Sequence, residues 1–410
     1  MNMQSTLAAA PVMSERRVAL IGGLMAAIGP ISMALFTPAM PQIVHAFGTT
    51  PAAVKMTLSL YFGGFAFAQL VCGPLSDAFG RRPVTIAFMA IYLAGSVFAL
   101  LSPTIELLIA ARFLQGAGAA VGVAVSRALV RDLFTHERSA RIMNLIGIIL
   151  AIGPAISPTL GGFTMQLFGW HAIFLLMVGM GSLIVLVALF VMRETVLRDP
   201  SRLQPRALLH SYRTILSTPY FTLASLAIAG SAGAIYAQAS VLPFILMERI
   251  GLTPPQFGAA MLIQSLSYLG GAVAVRMVIG RFGAFRLVPA GLICIGTASL
   301  ALALGLRLLE PSFLGVMLPV GVYAFGIAFV MPATSTAAMA PFPKNAGAAS
   351  AMMGFFQMGA GLLGGACAAL IGDPVTAMAT IIPTMGLIAI TSWTIWRRLP
   401  EPAILVTRHR

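Results

Sequence analysis

The sequence predicts an all-α membrane protein, with twelve transmembrane helices in two pseudo-symmetric six-helix bundles. Three observations carry that prediction. Hydrophobic residues make up 59% of the 410 positions and charged residues 9%, where a soluble domain has about 25% charged residues. Apolar runs long enough to cross a bilayer recur twelve times. Short motifs at the ends of these runs repeat at an offset of 203 residues. A water-soluble enzyme has no single core able to hide so much apolar surface, and disorder requires low hydrophobicity. In lipid, a chain of this kind must satisfy its backbone internally, as helices do.

A span needs about 20 apolar residues. The runs fall at 18–38, 56–75, 83–101, 105–126, 142–167, 171–192, 219–245, 256–275, 287–306, 311–338, 346–371 and 376–396. The first follows Glu15-Arg16-Arg17 and exceeds the apolar core of a cleavable signal, so it is expected to be retained. Clusters of small residues such as Gly116-Ala117-Gly118-Ala119-Ala120 let helix backbones approach closely in lipid. The longest polar stretch, 193–218, carries Arg193, Glu194, Arg198, Asp199, Arg202 and Arg206. It is expected to be a cytoplasmic linker between an N-terminal bundle at 1–192 and a C-terminal bundle at 219–410 that ends in a short cytoplasmic tail.

Basic residues orient the spans. With the N-terminus in the cytoplasm, 21 Lys and Arg fall on the cytoplasmic side and three, Lys55, Arg249 and Arg307, on the other. Arg112 alone lies inside a span, and an odd number of spans would spoil the asymmetry. Both termini are therefore expected inside. The net charge of +14 is mostly this bias, and no stripe of basic and aromatic residues suggests nucleic acid. Cys72, Cys294 and Cys367 are odd in number and sit in apolar stretches, which argues against a disulfide framework or a metal site. His45, His136, His171, His210 and His409 fall in loops or tails, and no zinc-protease, serine-hydrolase or phosphate-loop motif is present. No metal, cofactor or catalysis is expected.

The repeat is visible where Asp77-Ala78-Phe79-Gly80 ends span 2 and Gly280-Arg281-Phe282-Gly283 ends span 8. Gly161-Gly162 in span 5 matches Gly364-Gly365 in span 11 at the same offset. Repeated six-span units mark transporters that bind substrate near the midplane, between the halves.

The stretch Gly73-Pro74-Leu75-Ser76-Asp77-Ala78-Phe79-Gly80-Arg81-Arg82-Pro83 resembles the loop 2–3 signature of the major facilitator superfamily. Arg112-Phe113-Leu114-Gln115-Gly116 resembles that superfamily's span 4 motif, and Gly153-Pro154-Ala155-Ile156-Ser157-Pro158-Thr159-Leu160-Gly161-Gly162 its antiporter motif in span 5. Arg127 through Arg131-Asp132-Leu133-Phe134 and Ala340-Pro341-Phe342-Pro343-Lys344-Asn345-Ala346-Gly347 are similar to the bicyclomycin/chloramphenicol-resistance subfamily of drug–proton antiporters. The resemblance covers nearly the whole chain. It implies a monomer in the bacterial inner membrane that exports small amphipathic organic molecules by alternating access, with a proton gradient as the energy source. The alternative is export of an endogenous anionic metabolite or siderophore.

The motifs supply candidate residues. Asp77 can meet a helix N-terminus or an arginine, and Arg127 and Arg131 are the expected partners in a cytoplasmic gate that also holds Arg81 and Arg82. A plain topology anchor with a solvated Asp77 is the alternative, and Ala78, where the family often has a basic residue, weakens the latch. Gly153, Pro154, Pro158, Gly161 and Gly162 make span 5 either a hinge or a bent, tightly packed helix. Arg112, with Gln115 on the same face, marks either a functional cavity or a structural contact to freed carbonyls. The related antiporters carry an acid in span 1, where this chain has Ala34. Glu106, six residues before Arg112 and about 9 Å away along the axis, is the nearest proton-coupling candidate. A cavity with Arg112 and no acid is expected to disfavour organic cations. Further cavity candidates are Phe36, Tyr61, Gln69, Tyr236, Gln238, Gln264, Met331, Thr334 and Gln357, each of which can equally serve helix packing.

Overall fold

A computed structural model describes residues 12–400. Twelve helices are long and apolar enough to span a membrane: α1 (Glu15–Ala46), α2 (Pro51–Phe79), α3 (Arg81–Leu100), α4 (Ile105–Leu133), α5 (Glu137–Phe168), α6 (Trp170–Phe190), α7 (Pro219–Ala239), α8 (Pro254–Phe282), α9 (Ala284–Leu308), α10 (Phe313–Met339), α11 (Ala346–Ile371) and α12 (Pro374–Trp396). Each coincides with a run expected from the sequence, and no strand occurs among the described residues. Both tails, with Arg408 and Arg410, lie outside the described residues.

Local chemistry sets the helix ends. In α1 a 3-10 turn at Thr37–Ala39 interrupts the helix, where Pro38 and Pro41 each lack an amide donor. Thr50, Thr104 and Ser312 accept the N–H groups that open α2, α4 and α10. Helices α2, α5, α8 and α11 all stop at a glycine of positive φ: Gly80 (99°), Gly169 (77°), Gly283 (77°) and Gly372 (79°). A side chain is strained there, and glycine is not. Gly80 pairs with Gly283, and Gly169 with Gly372, at the offset of 203 read from the sequence.

Packing repeats in the same way. Helix α2 packs on α4 as α8 packs on α10; α3 lies on α4 and α6 as α9 lies on α10 and α12; α1 meets α5 as α7 meets α11. The halves join along two crossings, α2 with α11 and α5 with α8. Small residues bring these backbones together. A Cβ on Gly162 would strike the Pro254 carbonyl, and one on Gly365 the Ser59 side chain. Two apolar clusters fill the molecule, one centred in α1–α6 and one in α7–α12.

The connection between the halves is more than a polar tether. It folds into a helix at Pro205–Leu216. Tyr212 and Ile215 of this linker helix join the second apolar cluster, while the Tyr212 hydroxyl donates to the Leu70 carbonyl of α2 at 2.5 Å. The Asp199 N–H pairs with the Ala78 carbonyl at 2.8 Å. The linker therefore straps the C-terminal end of α2 to the second half.

Candidate functional site

Arg112 is fully buried inside the first half. Its guanidinium lies between two rings, 4.4 Å from the centroid of Phe36 and 4.3 Å from that of Tyr61. Desolvated cation–π contacts of this kind contribute about 2 kcal/mol each. One Nη donates to Gln115 Oε1. The Gln115 amide donates onward to Ser96 at 2.7 Å and reaches the Met177 sulfur at 3.2 Å. Tyr61 donates to the Gly29 carbonyl at 2.8 Å; Ser32 donates to the Ile28 carbonyl at 2.6 Å and accepts from the Tyr92 hydroxyl at 2.6 Å. Nε and the other Nη of Arg112 have no hydrogen-bond partner among the described residues. The structure thus unites Arg112, Gln115, Phe36 and Tyr61. It does so in packed protein, where the sequence leaves a functional cavity and a structural contact both open. Ala34 is buried in α1. No Asp or Glu pairs with Arg112 among the described residues, and Glu106 is exposed in the first turn of α4.

The remaining cavity candidates lie apart from this group. Gln238 donates to Gln264 at 2.6 Å, tying α7 to α8. Tyr236 packs on Phe62 with ring centroids 5.3 Å apart, at the meeting of the two halves. Thr334 is buried and bonds back to Val330 at 2.7 Å, Gln357 and Met331 are half-buried, and Gln69 faces Gly354 of α11. In α5, Pro154 and Pro158 sit inside an unbroken helix. Gly153 abuts Ile31, and Gly161 abuts the Leu35 carbonyl of α1, so the motif's glycines serve close crossings on two sides.

At the end of α2 around Gly80 the partners differ from expectation. Asp77 meets neither Arg127 nor Arg131; it pairs with Arg81 at 2.5 Å. Gly80 turns the chain so that Arg81, first in α3, folds back on the last turn of α2. The buried Arg81 guanidinium also binds Asp132 at 2.9 Å and Ser76 at 2.7 Å. Glu194 accepts the N–H groups of Arg81 and Arg82 at 2.8 and 3.1 Å, capping α3. Arg82 in turn donates to the last carbonyls of α6, at Ala188 and Leu189. Arg131 is 63% exposed and 4.0 Å from Asp132. Arg127 reaches across the halves to Ser350 of α11 at 2.8 Å.

These groups border a cavity of about 650 Å³ between α2, α4, the linker helix and the start of α11. Gln69, Asp77, Arg81, Arg127, Arg131 and Asn345 supply its polar wall. Arg112 is not among its lining residues, so the positive charge facing this space comes from other arginines.

The opposite end of the α2–α11 crossing is sealed by a residue that the sequence offered only as a topology marker. Lys55 is fully buried, and its ammonium donates to the carbonyls of Gly372 at 2.7 Å and Ala368 at 3.2 Å. It thereby caps the C-terminus of α11 from the other half. Next to it, Asp373 binds Arg249 at 3.1 Å and accepts the Thr376 N–H at 2.8 Å. Burial pushes the Asp373 carboxyl up, but the Thr376 and Arg249 donors outweigh it and hold the group below the usual range. Burial raises the Glu248 carboxyl, with His45, Arg249 and Lys55 opposing.

Known proteins share this architecture. A bacterial homolog of the human lysosomal transporter Spinster, in an inward-facing conformation, superposes with a TM-score of 0.71 at 16% identity, covering 93% of this chain and 96% of that one. The human organic anion transporter MFSD10 (TETRAN) gives 0.65 at 16% identity over 94% and 100% of the two chains. In sequence, the chain is 30% identical to the uncharacterized MFS-type transporter YdgK of Bacillus subtilis (strain 168) over 93% of this chain and 94% of the relative. It is 26% identical to multidrug resistance protein D of Escherichia coli (strain K12), over 90% and 93%. It is 28% identical to multidrug resistance protein MdtL of Shewanella sp. (strain ANA-3), over 80% and 82%. Residues 22–366 match the Major Facilitator Superfamily, and the chain belongs to it as a multi-pass membrane transporter.

Proposed function

We propose that this transporter exports small amphipathic organic molecules from the cytoplasm by alternating access, in exchange for protons. The observation that carries the proposal is the unequal state of the two ends of the α2–α11 crossing. Lys55 seals one end, and a cavity of drug-like size opens at the other. The positive-inside bias assigns the open end to the cytoplasm, where cargo for export is collected. The multidrug-resistance names of several relatives support the cargo class. The moving units are the two six-helix halves at 1–192 and 219–410, with the linker at 193–218 as a strap that permits rocking. Gly162 and Gly258 at the α5–α8 crossing, and the Asp77–Arg81–Asp132 cluster, are the contacts that such rocking must respect.

The proton exchange rests on the resemblance to drug–proton antiporters, since no carboxylate stands in the middle of a span. Arg112, unpaired and stacked between rings, is the buried charge on which a coupling step can act. A second reading, export of an endogenous anion, is favoured by the arginines on the cavity wall. Proteoliposomes with an imposed pH gradient test both, using a mixed library of cationic, neutral and anionic compounds with wild type and Arg112→Ala. Efflux that follows the gradient supports exchange. Efflux indifferent to the gradient in wild type removes proton coupling, and accumulation of lipophilic cations alone removes the anion reading.

A further inference from the structure

We infer that the cytoplasmic cavity is an entry site for anionic amphiphiles, compounds that carry a carboxylate or sulfonate on an apolar body, and that Arg127 selects them. This rests on the export proposal and names the cargo class of that site.

The charges on the wall are not equivalent. Arg81 is spent on Asp77 and Asp132, at 2.5 and 2.9 Å. Arg131 is largely in solvent and 4.0 Å from Asp132. Arg127 has no acidic partner among the described residues, and its one polar contact is a single bond from Nη1 to Ser350. A guanidinium presents five N–H groups in a planar fork. With one bonded to a neutral hydroxyl, the other edge is available for a bidentate anion. Asp77, the acid on the wall, is already taken by Arg81.

The surroundings complete the site. Gln69 and Asn345 offer neutral donors on the wall of the same cavity, and Asn345 precedes α11 without using its side chain as a cap. Val123, Leu208 and Ala351 give apolar wall for the body of the ligand. The volume, about 650 Å³, lies inside the range of pockets that enclose drug-sized molecules. The contact of Arg127 with Ser350 spans the two halves. A ligand acid on the free edge shares the guanidinium with that contact, so occupancy and the separation of the halves are linked.

The test uses the full-length protein in phosphatidylcholine nanodiscs and two dyes that share a xanthene body, anionic fluorescein and cationic rhodamine 123, read by fluorescence anisotropy. Fluorescein is expected to bind saturably, more weakly as salt rises. Arg127→Ala should weaken it about tenfold or more, the loss of a charge-assisted hydrogen-bonded pair. Arg127→Lys should retain part of the affinity, and Arg131→Ala most of it. Rhodamine 123 should bind no worse to Arg127→Ala than to wild type. Absence of fluorescein binding to wild type, equal fluorescein affinity in wild type and Arg127→Ala, or a wild-type preference for rhodamine 123 each overturns the inference. Gel-filtration profile and melting temperature establish that the variants fold. Export is measured separately in everted vesicles. Arg127-dependent binding without export sinks the export proposal alone, and export with an affinity indifferent to Arg127 sinks this site alone.

Discussion

Replacing Lys55 by methionine isolates the seal at the end proposed to face the periplasm. Methionine keeps much of the apolar stem, so packing against neighbours such as Phe244 is largely preserved. What is lost is the ammonium and its bonds to Gly372 and Ala368, at 2.7 and 3.2 Å. The Ala368 carbonyl keeps a partner in the Gly372 N–H at 3.3 Å, so the cost falls mainly on the Gly372 carbonyl. A hydrogen bond to a charged group contributes about 1.5–3 kcal/mol net. The bonds join α2 of one half to α11 of the other, so they exist only while the periplasmic side is closed. Lys55→Met should therefore shift the closed-to-open ratio by about 10-fold to 150-fold toward the outward-open form. Affinity for a cytoplasmic ligand should fall in proportion to the closed fraction, and so by less than that factor where the closed form dominates in wild type, because only that form presents the cytoplasmic cavity. Spin labels at Glu106→Cys and Glu310→Cys, both exposed and on opposite halves, report the periplasmic separation by pulsed dipolar spectroscopy. The background must lack Cys72, Cys294 and Cys367. Lys55→Met should populate a longer distance that is minor in wild type, and Lys55→Arg should restore much of the shorter one. Superimposable distance distributions for wild type and Lys55→Met would refute the seal.

Three further outcomes are expected. Gly162→Val drives a side chain into the Pro254 carbonyl, an overpacking of about 1–3 kcal/mol, and should open the periplasmic side in the same spectroscopic assay; an unmoved distribution removes α5–α8 closeness from the argument. Arg81→Ala strips the shared partner from Asp77 and Asp132 and should lower stability by about 2–3 kcal/mol, below the fully buried range because both acids keep contact with water; a melting temperature within error of wild type contradicts it. Arg112→Met removes a buried cation with two unpartnered nitrogens and should raise the melting temperature, since the cost of an unpaired buried charge exceeds what its contacts with the Phe36 and Tyr61 rings return. If Arg112 serves transport, export should fall in that same variant; a destabilised variant with normal export reverses both halves of the expectation.

The twelve spans were legible because hydropathy acts through composition, residue by residue. The repeat was legible because the helices at the junction of the halves end in the same way, and the glycines at positions 80, 169, 283 and 372 are backbone requirements, which sequence records directly. The depth of Arg112 was legible too, but its surroundings were not. Helix α4 has buried residues on every side, so no polar face shows which way the guanidinium points, and its two rings come from helices distant in sequence. The partner of Asp77 lay in plain spacing, four residues on at Arg81, yet the turn at Gly80 hid the contact from a search along continuous helices. Lys55 read as one of three basic residues on the sparse side of the membrane. Nothing in local sequence says that the C-terminus of another half's helix will settle on it.

Both ends of α11 lie close to charges from the other half, on which the proposed alternating access would act. Its C-terminal carbonyls carry the negative end of the helix dipole, and Lys55 meets them in the present conformation. Its N-terminal turn borders the cavity, and Asp77, 47% exposed, stands on the wall formed by α2. In the proposed rocking, α11 would pivot on α2 about the middle of their crossing, withdrawing its carbonyls from Lys55 as its N-terminal turn moves toward α2. Asp77 then has a second partner of the right sign besides Arg81, and the energy lost at one end is offset at the other. A helix held by cation at one terminus or anion at the other, and too rigid to satisfy both, favours two closed forms over an intermediate. The glycines along the crossing, at positions 354, 361 and 365, keep the two helices close enough to pivot on one another, and a bulky residue there would separate the ends together and erase the alternation.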